Sequence, residues 1–251
     1  MKSKNINVNE ASARIERMEK ELAALKELVK NAKERPPRKI PYTIDELVKR
    51  INDNELEEDL VVGDYLDIKL YTGEIVRVFV MDTQHDEMEN GKLADYSFGI
   101  TFVDFAFKMN DTSTNTTSWE KCKMRNTYIQ RIFSLLPESL RNNIVPVKKL
   151  TSAGGNSNKI ITTIDIIFCF SEVEIYGVSC LSFKGEGKQY KFFEKEGNRE
   201  MQNHPWLRSP CFCYYSSQSF CFVNTSNASG GNDASVSNGI ALGFCLTSKN
   251  H

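Results

Sequence analysis

Histidine and cysteine are the residues of this sequence best suited to chemistry. The chain has three histidines, His85, His204 and His251, and seven cysteines. A Cys–His nucleophile pair could combine His204 with Cys211 or Cys213. The same three residues imitate a partial zinc site, but the C-x-x-C spacing is missing and no fourth ligand is evident. We therefore expect no enzymatic activity, no cofactor and no metal site.

Most of the cysteines have the sequence context of buried thiols. Cys169, Cys221 and Cys245 lie within apolar, strand-like runs, where a thiol packs as a small hydrophobic group. The first residues contain no apolar segment behind their lysines, which predicts no secretory signal and a cytosolic product with reduced thiols. No stretch of about 18 apolar residues exists, so we expect no transmembrane helix and no membrane insertion.

Acidic pairs and basic patches are the other candidates for chemistry. Asp82 with Asp86, and Glu172 with Glu174, have the side chains of metal or glycosidase sites. We interpret them as solvated strand ends and loops, the far commoner context. The net charge is -1, and residues 201–251 carry only three charged side chains. Because nucleic-acid binding needs a basic face beside stacking aromatics, we expect no nucleic-acid partner.

A heptad pattern occupies the N-terminal 34 residues. Apolar residues follow a 4-3 spacing from Ala11 to Ala32, which is typical of a coiled-coil seam. We expect a coiled-coil oligomerisation or anchoring helix over 1–34; a single amphipathic helix lying on the chain's own globule is the alternative. The mixed core fits two, three or four strands, and we favour a homotrimer. The expected oligomerisation residues are Ile15, Met18, Leu22, Leu25 and Val29.

The rest of the chain divides into a linker and a globular part. Residues 35–42 are rich in proline and basic residues, which predicts a stiff linker. The leading part of the globular domain, residues 43–108, predicts a capped helix and a β-hairpin. Residues 109–251 form its second part, with Ser/Asn-rich loops. The predicted elements are a helix over 44–53 with a Thr43–Glu46 capping box, the hairpin Leu66–Val80, a strand over Phe98–Phe107, a helix from Trp119 to Leu136 ended by Pro137, and strands over Val145–Leu150 and Ile160–Phe170.

The last 50 residues alternate aromatic runs with serine and asparagine. This pattern indicates a loop-rich β region held by buried aromatics. Serine, asparagine and tyrosine are also the adaptable contacts of binding loops, so we place a candidate ligand-binding surface here. Its residues are Trp206, Arg208, Tyr214, Tyr215, Ser216, Ser217, Gln218, Asn224, Asn227, Asn232, Asp233 and Asn238.

Trp206 and Arg208 carry a more specific hypothesis. In an alternating strand they share one face, so the guanidinium could stack over the indole. An exposed pair would form a platform for a sugar or peptide. A buried pair would close the core, and we favour this structural alternative.

Several short phrases follow one another along the second part of the chain: Trp119–Arg125, Leu136-Pro137 with Ile144 and Val147, Thr163-x-Asp165, Ser171–Glu174 with Gly177, Trp206–Pro210 (WLRSP), Phe220–Asn224 and Gly239–Leu246. In this order they resemble the pattern of a domain family found in Gram-positive bacteria, their prophages and phages. The departures are Cys122, where the family has serine, and Ala241-Leu242, where it has Arg-Pro.

The resemblance implies a C-type-lectin-like fold, similar also to formylglycine-generating-enzyme-like domains. Together with the heptads, it predicts an α+β chain: an N-terminal coiled-coil helix, then a C-type-lectin-like globular domain with small twisted antiparallel sheets and long loops. We expect a non-enzymatic phage virion surface protein, made in the host cytoplasm, that binds a host-surface glycan or protein. The alternative is a capsid or tail decoration protein that contacts only other virion proteins.

Overall fold

The computed structural model describes residue 12 and residues 14–22, 35–212, 217–224 and 229–249, leaving aside the side chains of 102–104. The chain divides into two compact units, Met1–Pro36 and Pro37–His251. In the first unit, residue 12 and residues 14–22 are helical. The second unit contains the described strands and the other helices.

The described strands form two sheets. They are β1 (Tyr65–Lys69), β2 (Ile75–Thr83), β3 (Tyr96–Lys108), β4 (Val147–Gly154), β5 (Ser157–Asp165), β6 (Ile167–Cys169), β7 (Trp206–Pro210), β8 (Ser219–Val223), β9 (Ser229–Asp233) and β10 (Ser237–Leu246). The eight-stranded sheet has the order β1-β2-β3-β10-β7-β8-β9, with β6 also paired to β10, and β4 and β5 form a separate hairpin. β7 and β10 are parallel, whereas the other pairs are antiparallel.

Short helices connect these strands. They are α1 (Ile44–Asp53), α2 (Ser118–Lys121), α3 (Ile129–Leu135), α4 (Glu138–Arg141), α5 (Glu172–Tyr176) and α6 (Lys191–Glu194), with a π-helical turn at Met124–Tyr128 and a 3-10 turn at Glu196–Arg199.

Two local predictions are confirmed. Thr43 and Glu46 cap α1 reciprocally, each side chain accepting a hydrogen bond from the other residue's backbone N–H. β1 and β2 form the predicted hairpin, in which Leu66 pairs with Val78 and both side chains are buried. Alternation therefore located the strands, because one face of this hairpin packs on the core and the other meets solvent.

The predicted helix from Trp119 to Leu136 is interrupted. Cys122 is extended, with φ -67° and ψ 154°, and the chain re-enters a helical path through the π-helical turn. This break places Arg125 against Asp165, with Nε 2.6 Å from Oδ1. The helix ends at Leu135, close to the predicted stop before Pro137.

The predicted fold class is wrong. Instead of small sheets with long loops, 35% of the chain is strand and 25% is short helix, so the fold is mainly β. β10 pairs with both β3 and β7, which joins the leading hairpin and the C-terminal strands in one large sheet. No long N-terminal coiled-coil helix is present among the described residues, where helix before residue 35 is limited to 12 and 14–22. A heptad pattern favours a long helix only when a second helix packs against its apolar side chains. Without such a partner, a helix of this length is only marginally stable in water.

Two opposed glycines let aromatic rings approach the centre of the large sheet. Gly99 of β3 pairs with Gly243 of β10. A Cβ at Gly243 would lie 2.7 Å from Cζ of Phe168, and one at Gly99 would lie 2.9 Å from Cζ of Phe170. Both rings are fully buried. The rings therefore occupy space that side chains on these two strands would need.

Gly243→Ala should destabilise the chain, because the added methyl group collides with the buried Phe168 ring. We expect the free energy of unfolding to fall by about 1–3 kcal/mol. Urea denaturation, followed by tryptophan fluorescence, measures the change. Gly197→Ala is the control, since nothing lies within 4 Å of its Cβ position. Equal stability of the two variants would contradict this packing.

Candidate functional site

Arg208 lies inside β7 and is fully buried, as is every residue of that strand. Its Nη2 is 2.8 Å from Oε1 of Glu174. The other guanidinium donors bond to the Cys169 carbonyl at 2.9 Å, to the Leu150 carbonyl at 3.1 Å and to Thr151 Oγ1 at 3.1 Å. The guanidinium charge is therefore paired, and its donors are used within the protein.

Glu174 continues the network into the core. Its Oε1 is 2.7 Å from Nζ of Lys149, which in turn lies 2.7 Å from Oδ1 of Asp86. The Tyr190 hydroxyl donates to Asp86 Oδ2 at 2.9 Å. All these side chains are buried. We call Asp86, Lys149, Glu174, Tyr190 and Arg208 the buried charge cluster.

The buried charge cluster contains two cations and two carboxylates. Burial alone raises the pKa of Asp86, but Lys149 and His85 outweigh it and hold this pKa well below its usual value. Burial likewise raises the pKa of Glu174, and Arg208 and Lys149 reverse the effect. Both carboxyl groups are therefore ionised at neutral pH, so the charges balance inside the core.

The two acidic pairs need a corrected interpretation, because neither pair is solvated. Asp82, Asp86, Glu172 and Glu174 are all at most 4% exposed. The Glu172 carboxylate accepts hydrogen bonds from the backbone N–H groups of residues 180–182, including Ser182 at 2.8 Å. These carboxylates position chain segments inside the protein.

Glu186 is a further buried carboxyl that the sequence did not single out. It accepts a hydrogen bond from the Ser152 N–H at 2.8 Å and another from the Ser209 hydroxyl. Burial raises its pKa to about 7, because these bonds and Arg208 only partly offset the loss of water. The Ser209 hydroxyl oxygen also accepts a hydrogen bond from the backbone N–H of Glu172 at 2.9 Å, so Ser209 of WLRSP joins the Glu186 carboxylate to the first turn of α5.

The buried charge cluster includes no activated nucleophile. Cys245 Sγ lies 3.3 Å from Asp86 Oδ2, but burial raises the pKa of this thiol well above its usual value. A protonated thiol is a poor nucleophile. His85 stacks on Tyr190 at 4.0 Å, with Nδ1 3.7 Å from Asp86 Oδ1. This arrangement suits structural stabilisation better than acid–base chemistry at a substrate.

The phrases behind the family resemblance contact one another. Trp119 Nε1 donates to Asp165 Oδ2 at 3.2 Å, Arg125 pairs with Asp165, and the Thr163 hydroxyl donates to the same carboxylate at 2.5 Å. Arg208 of WLRSP likewise meets Glu174 of the Ser171–Glu174 phrase. Residues far apart in the sequence thus hold the helices and sheets together.

Trp206 and Arg208 are both fully buried, so a ligand at the surface cannot reach them. The Trp206 Nε1 donates to the Phe107 carbonyl at 2.8 Å. Its ring meets Phe222 edge-on at 6.4 Å. Both side chains are buried, as the core-closing alternative expected, so this pair forms no exposed platform. The guanidinium pairs with Glu174 instead of stacking over the indole.

Other predicted ligand residues meet at one end of β8 and β9. Asp233 Oδ2 accepts from Ser113 Oγ at 2.5 Å, and Oδ1 accepts from the Ser235 N–H at 2.8 Å. The Ala234 N–H donates to the Gln218 carbonyl at 2.9 Å. We call this surface the polar rim; its residues are Ser113, Ser217, Gln218, Asn232, Asp233 and Ser235.

Hydrogen bonds fix the backbone and the carboxylate of the polar rim. The Asn115 N–H donates to the Ser217 carbonyl at 2.7 Å. Ser113 holds the pKa of Asp233 below its usual value by donating to the carboxylate, and Ser235 adds to the effect. Asn232 Nδ2 donates to Oδ1 of Asn238 at 3.2 Å, and Asn238 itself is buried. The rim is therefore a preformed surface of amide and hydroxyl groups around the Asp233 carboxylate.

The remaining predicted residues fall elsewhere. Asn224 follows the last residue of β8, at the end away from the polar rim. In the first unit, Ile15, Met18 and Leu22 are more than half exposed. Tyr214, Tyr215, Ser216, Asn227, Leu25 and Val29 lie outside the described residues.

The described part of the chain contains neither a metal-ligand cluster nor a membrane-spanning helix. There, no three His, Cys, Asp or Glu side chains are grouped so that they could hold a metal ion. His204 packs edge-on against Phe222 at 5.6 Å, and Cys213 lies outside the described residues. No described helix is both long and apolar enough to cross a membrane.

The second unit is thus a mainly β domain with a salt-bridged core and a polar rim. A family model described as Domain of unknown function (DUF6273) matches residues 93–248, more than half of the chain, so the chain belongs to this family. No curated protein and no solved structure matches the chain. The expected C-type-lectin-like fold therefore has no matching structure to support it.

Glu186 should make stability depend on pH. Its folded pKa of about 7 lies above the ordinary 4.5, so the folded state binds the proton more tightly than the unfolded state. Its contribution is greatest below about pH 4.5 and is lost as pH rises through about 7. The free energy of unfolding of Glu186→Gln, taken relative to that of the wild type, should therefore increase by up to about 3 kcal/mol when the pH is raised from about 5 to about 8.

Urea denaturation of Glu186→Gln and of the wild type, at about pH 5 and about pH 8, measures this change in relative stability. Glu89→Gln, at an exposed position, is the matched control and should show the same difference from wild type at each pH. A Glu186→Gln difference that does not change with pH would rule out a buried carboxyl that is protonated near neutrality.

Proposed function

We propose that the chain is a non-enzymatic protein of a phage virion surface, which binds a host-surface glycan or protein through the polar rim. The observation that carries the proposal is the division of polar groups in the second unit. The charges of the buried charge cluster are paired with one another, whereas amide and hydroxyl groups around the Asp233 carboxylate form the partly exposed rim. Such groups recognise sugars and peptides by directional hydrogen bonds, without requiring a charged ligand.

The rim suits recognition because its scaffold is already formed. Asp233 is anchored by Ser113 and Ser235, so binding does not have to order this carboxylate. The Gln218 side chain is exposed, while its backbone carbonyl is held by Ala234. Preorganisation of this kind lowers the entropic cost of binding.

Self-association is a further part of the proposal. Ile15, Met18 and Leu22 expose 57%, 59% and 52% of their surfaces, which is a large apolar area for one short helical segment. We propose that copies of the chain, three by preference, associate through these side chains. Several weak rim sites would then act together on a repetitive cell surface, which raises avidity. Sedimentation of the full chain gives the number of copies.

The second candidate is a decoration protein that contacts only other virion proteins. It is favoured by the β1–β2 hairpin, where Tyr71 and Ile75 are 62% and 68% exposed. A depression of about 350 Å3 beside Ile75 is lined by Asp67, Arg77 and Thr101. Exposed apolar side chains beside charged ones are suited to protein contact. An image of the particle that places this hairpin against a neighbouring protein, with the rim covered too, would favour decoration.

Gln218→Ala should weaken binding of the full chain to host cells. Loss of one amide that bonds the ligand predicts a drop in affinity of about 3- to 10-fold. Labelled protein is titrated onto a panel of Gram-positive cells and onto a glycan array. Gln130→Ala, also at an exposed glutamine, is the matched control and should bind like wild type. Absence of binding to every cell and glycan, or equal loss in both variants, would contradict recognition by the rim.

A further inference from the structure

Two thiols contact each other below the polar rim. Cys211 directly follows β7 and Cys221 lies within β8. Their Sγ atoms are 3.5 Å apart, and both residues are buried. Among the described cysteines, this is the only pair whose sulfur atoms are in contact.

The backbone already holds this pair in register. The Cys211 N–H donates to the carbonyl of Ser219 at 3.0 Å, so Cys211 and Cys221 are diagonal neighbours on adjacent antiparallel segments. A disulfide needs the sulfur atoms to close to about 2.05 Å. From their present separation of 3.5 Å, the two sulfur atoms must therefore approach each other by about 1.5 Å.

We propose that Cys211 and Cys221 are an oxidation site, at which a small peroxide converts the two thiols into a disulfide. Cys211 is 4% exposed and Cys221 is 0% exposed, so the oxidant must be small and should reach Cys211 first. The Cys211 sulfur takes one oxygen from hydrogen peroxide, which gives a sulfenic acid and one water. The Cys221 sulfur then displaces that oxygen; the S–S bond forms, and the hydroxyl leaves with the thiol proton as a second water.

Burial sets the rate of this oxidation. It raises the pKa of Cys221 well above its usual value, so little thiolate is available to attack the sulfenic acid. The reaction is therefore slow at neutral pH and faster at alkaline pH. This behaviour fits a lasting cross-link made after exposure to oxidants, and it does not fit a rapid signalling switch.

The cross-link would close the segment that carries part of the polar rim. Residues 212–220 lie between the two cysteines and include Ser217 and Gln218. Fixing both ends of this segment restricts the unfolded chain, which stabilises the folded state. The inference does not depend on what the rim binds, because the cross-link follows from the sulfur–sulfur contact alone.

Peptide mapping of the native full chain tests the proposal. The chain is treated with hydrogen peroxide, its free thiols are alkylated in denaturant, and it is cut with chymotrypsin. Cleavage after Phe212 and Tyr215 places Cys211, Cys213 and Cys221 on separate peptides. We expect a Cys211–Cys221 cross-linked peptide, two hydrogens lighter than its parts, while Cys122, Cys169 and Cys245 remain free.

Thermal unfolding of the wild-type chain supplies a second readout. The oxidised protein should melt about 5 °C or more above the reduced protein, and a reductant should remove the shift. Cys221→Ser should lose both the cross-link and the shift. Cys169→Ser, at another buried strand thiol, should retain both relative to its own reduced form.

Two outcomes would overturn the proposal. One is full alkylation of Cys211 and Cys221 after peroxide treatment. The other is a disulfide that joins either of them to Cys180 or Cys213 instead. Either result can be obtained on the wild-type chain, so the test does not depend on the variants folding. It is also independent of the cell-binding result, so the two proposals can fail separately.

Discussion

The second unit depends on the ion pair between Arg208 and Glu174. Removing a guanidinium from water is costly unless an opposite charge and further acceptors receive it. Arg208 satisfies this requirement only when α5 lies against β7 and when the carbonyls of Leu150 and Cys169 point at its nitrogens. One buried charge thus fixes the relative positions of a helix and three strands.

The same requirement extends through the core. Glu174 also pairs with Lys149, and Lys149 with Asp86, so the hairpin β4–β5 is tied to the segment that follows β2. Ser209, next to Arg208, bonds to both Glu172 and Glu186. A buried salt bridge is not automatically stabilising compared with a hydrophobic core. Its clearer role here is to make alternative packings costly, because each of them would leave a charge unpaired.

Local patterns predicted the local structure well. Alternation located the β1–β2 hairpin, and the Thr43–Glu46 pair located the start of α1, because each depends on residues close in sequence. Cys169, Cys221 and Cys245 are buried as predicted. The helical spacing of apolar residues from Trp119 to Leu136 did not predict the break at Cys122. The long-range ion pair Arg125–Asp165 accompanies this break.

The contacts within the buried charge cluster could not be predicted from local patterns. The sequence suggests Trp206, two residues away, as the contact of Arg208. In the structure the partner of Arg208 is Glu174 of α5. The available signal was a single charged residue, Arg208, within a strand of otherwise uncharged residues. Such a residue requires a buried counter-charge if the strand is buried, but the sequence does not say which one. Sheet order decides that, and no local pattern shows that β10 lies between β3 and β7. The Cys211–Cys221 contact depends on sheet register for the same reason.

The most direct test of this account is the unfolding free energy of Arg208→Met, measured by urea denaturation beside Arg77→Met. Arg208→Met leaves the Glu174 charge with one fewer partner in the core, and a loss of about 3–5 kcal/mol is predicted. Arg77 is half-exposed and pairs with Asp67 at 2.8 Å, so its loss should cost no more than about 1 kcal/mol. Equal losses in the two variants would contradict the claim that the buried ion pair organises the fold.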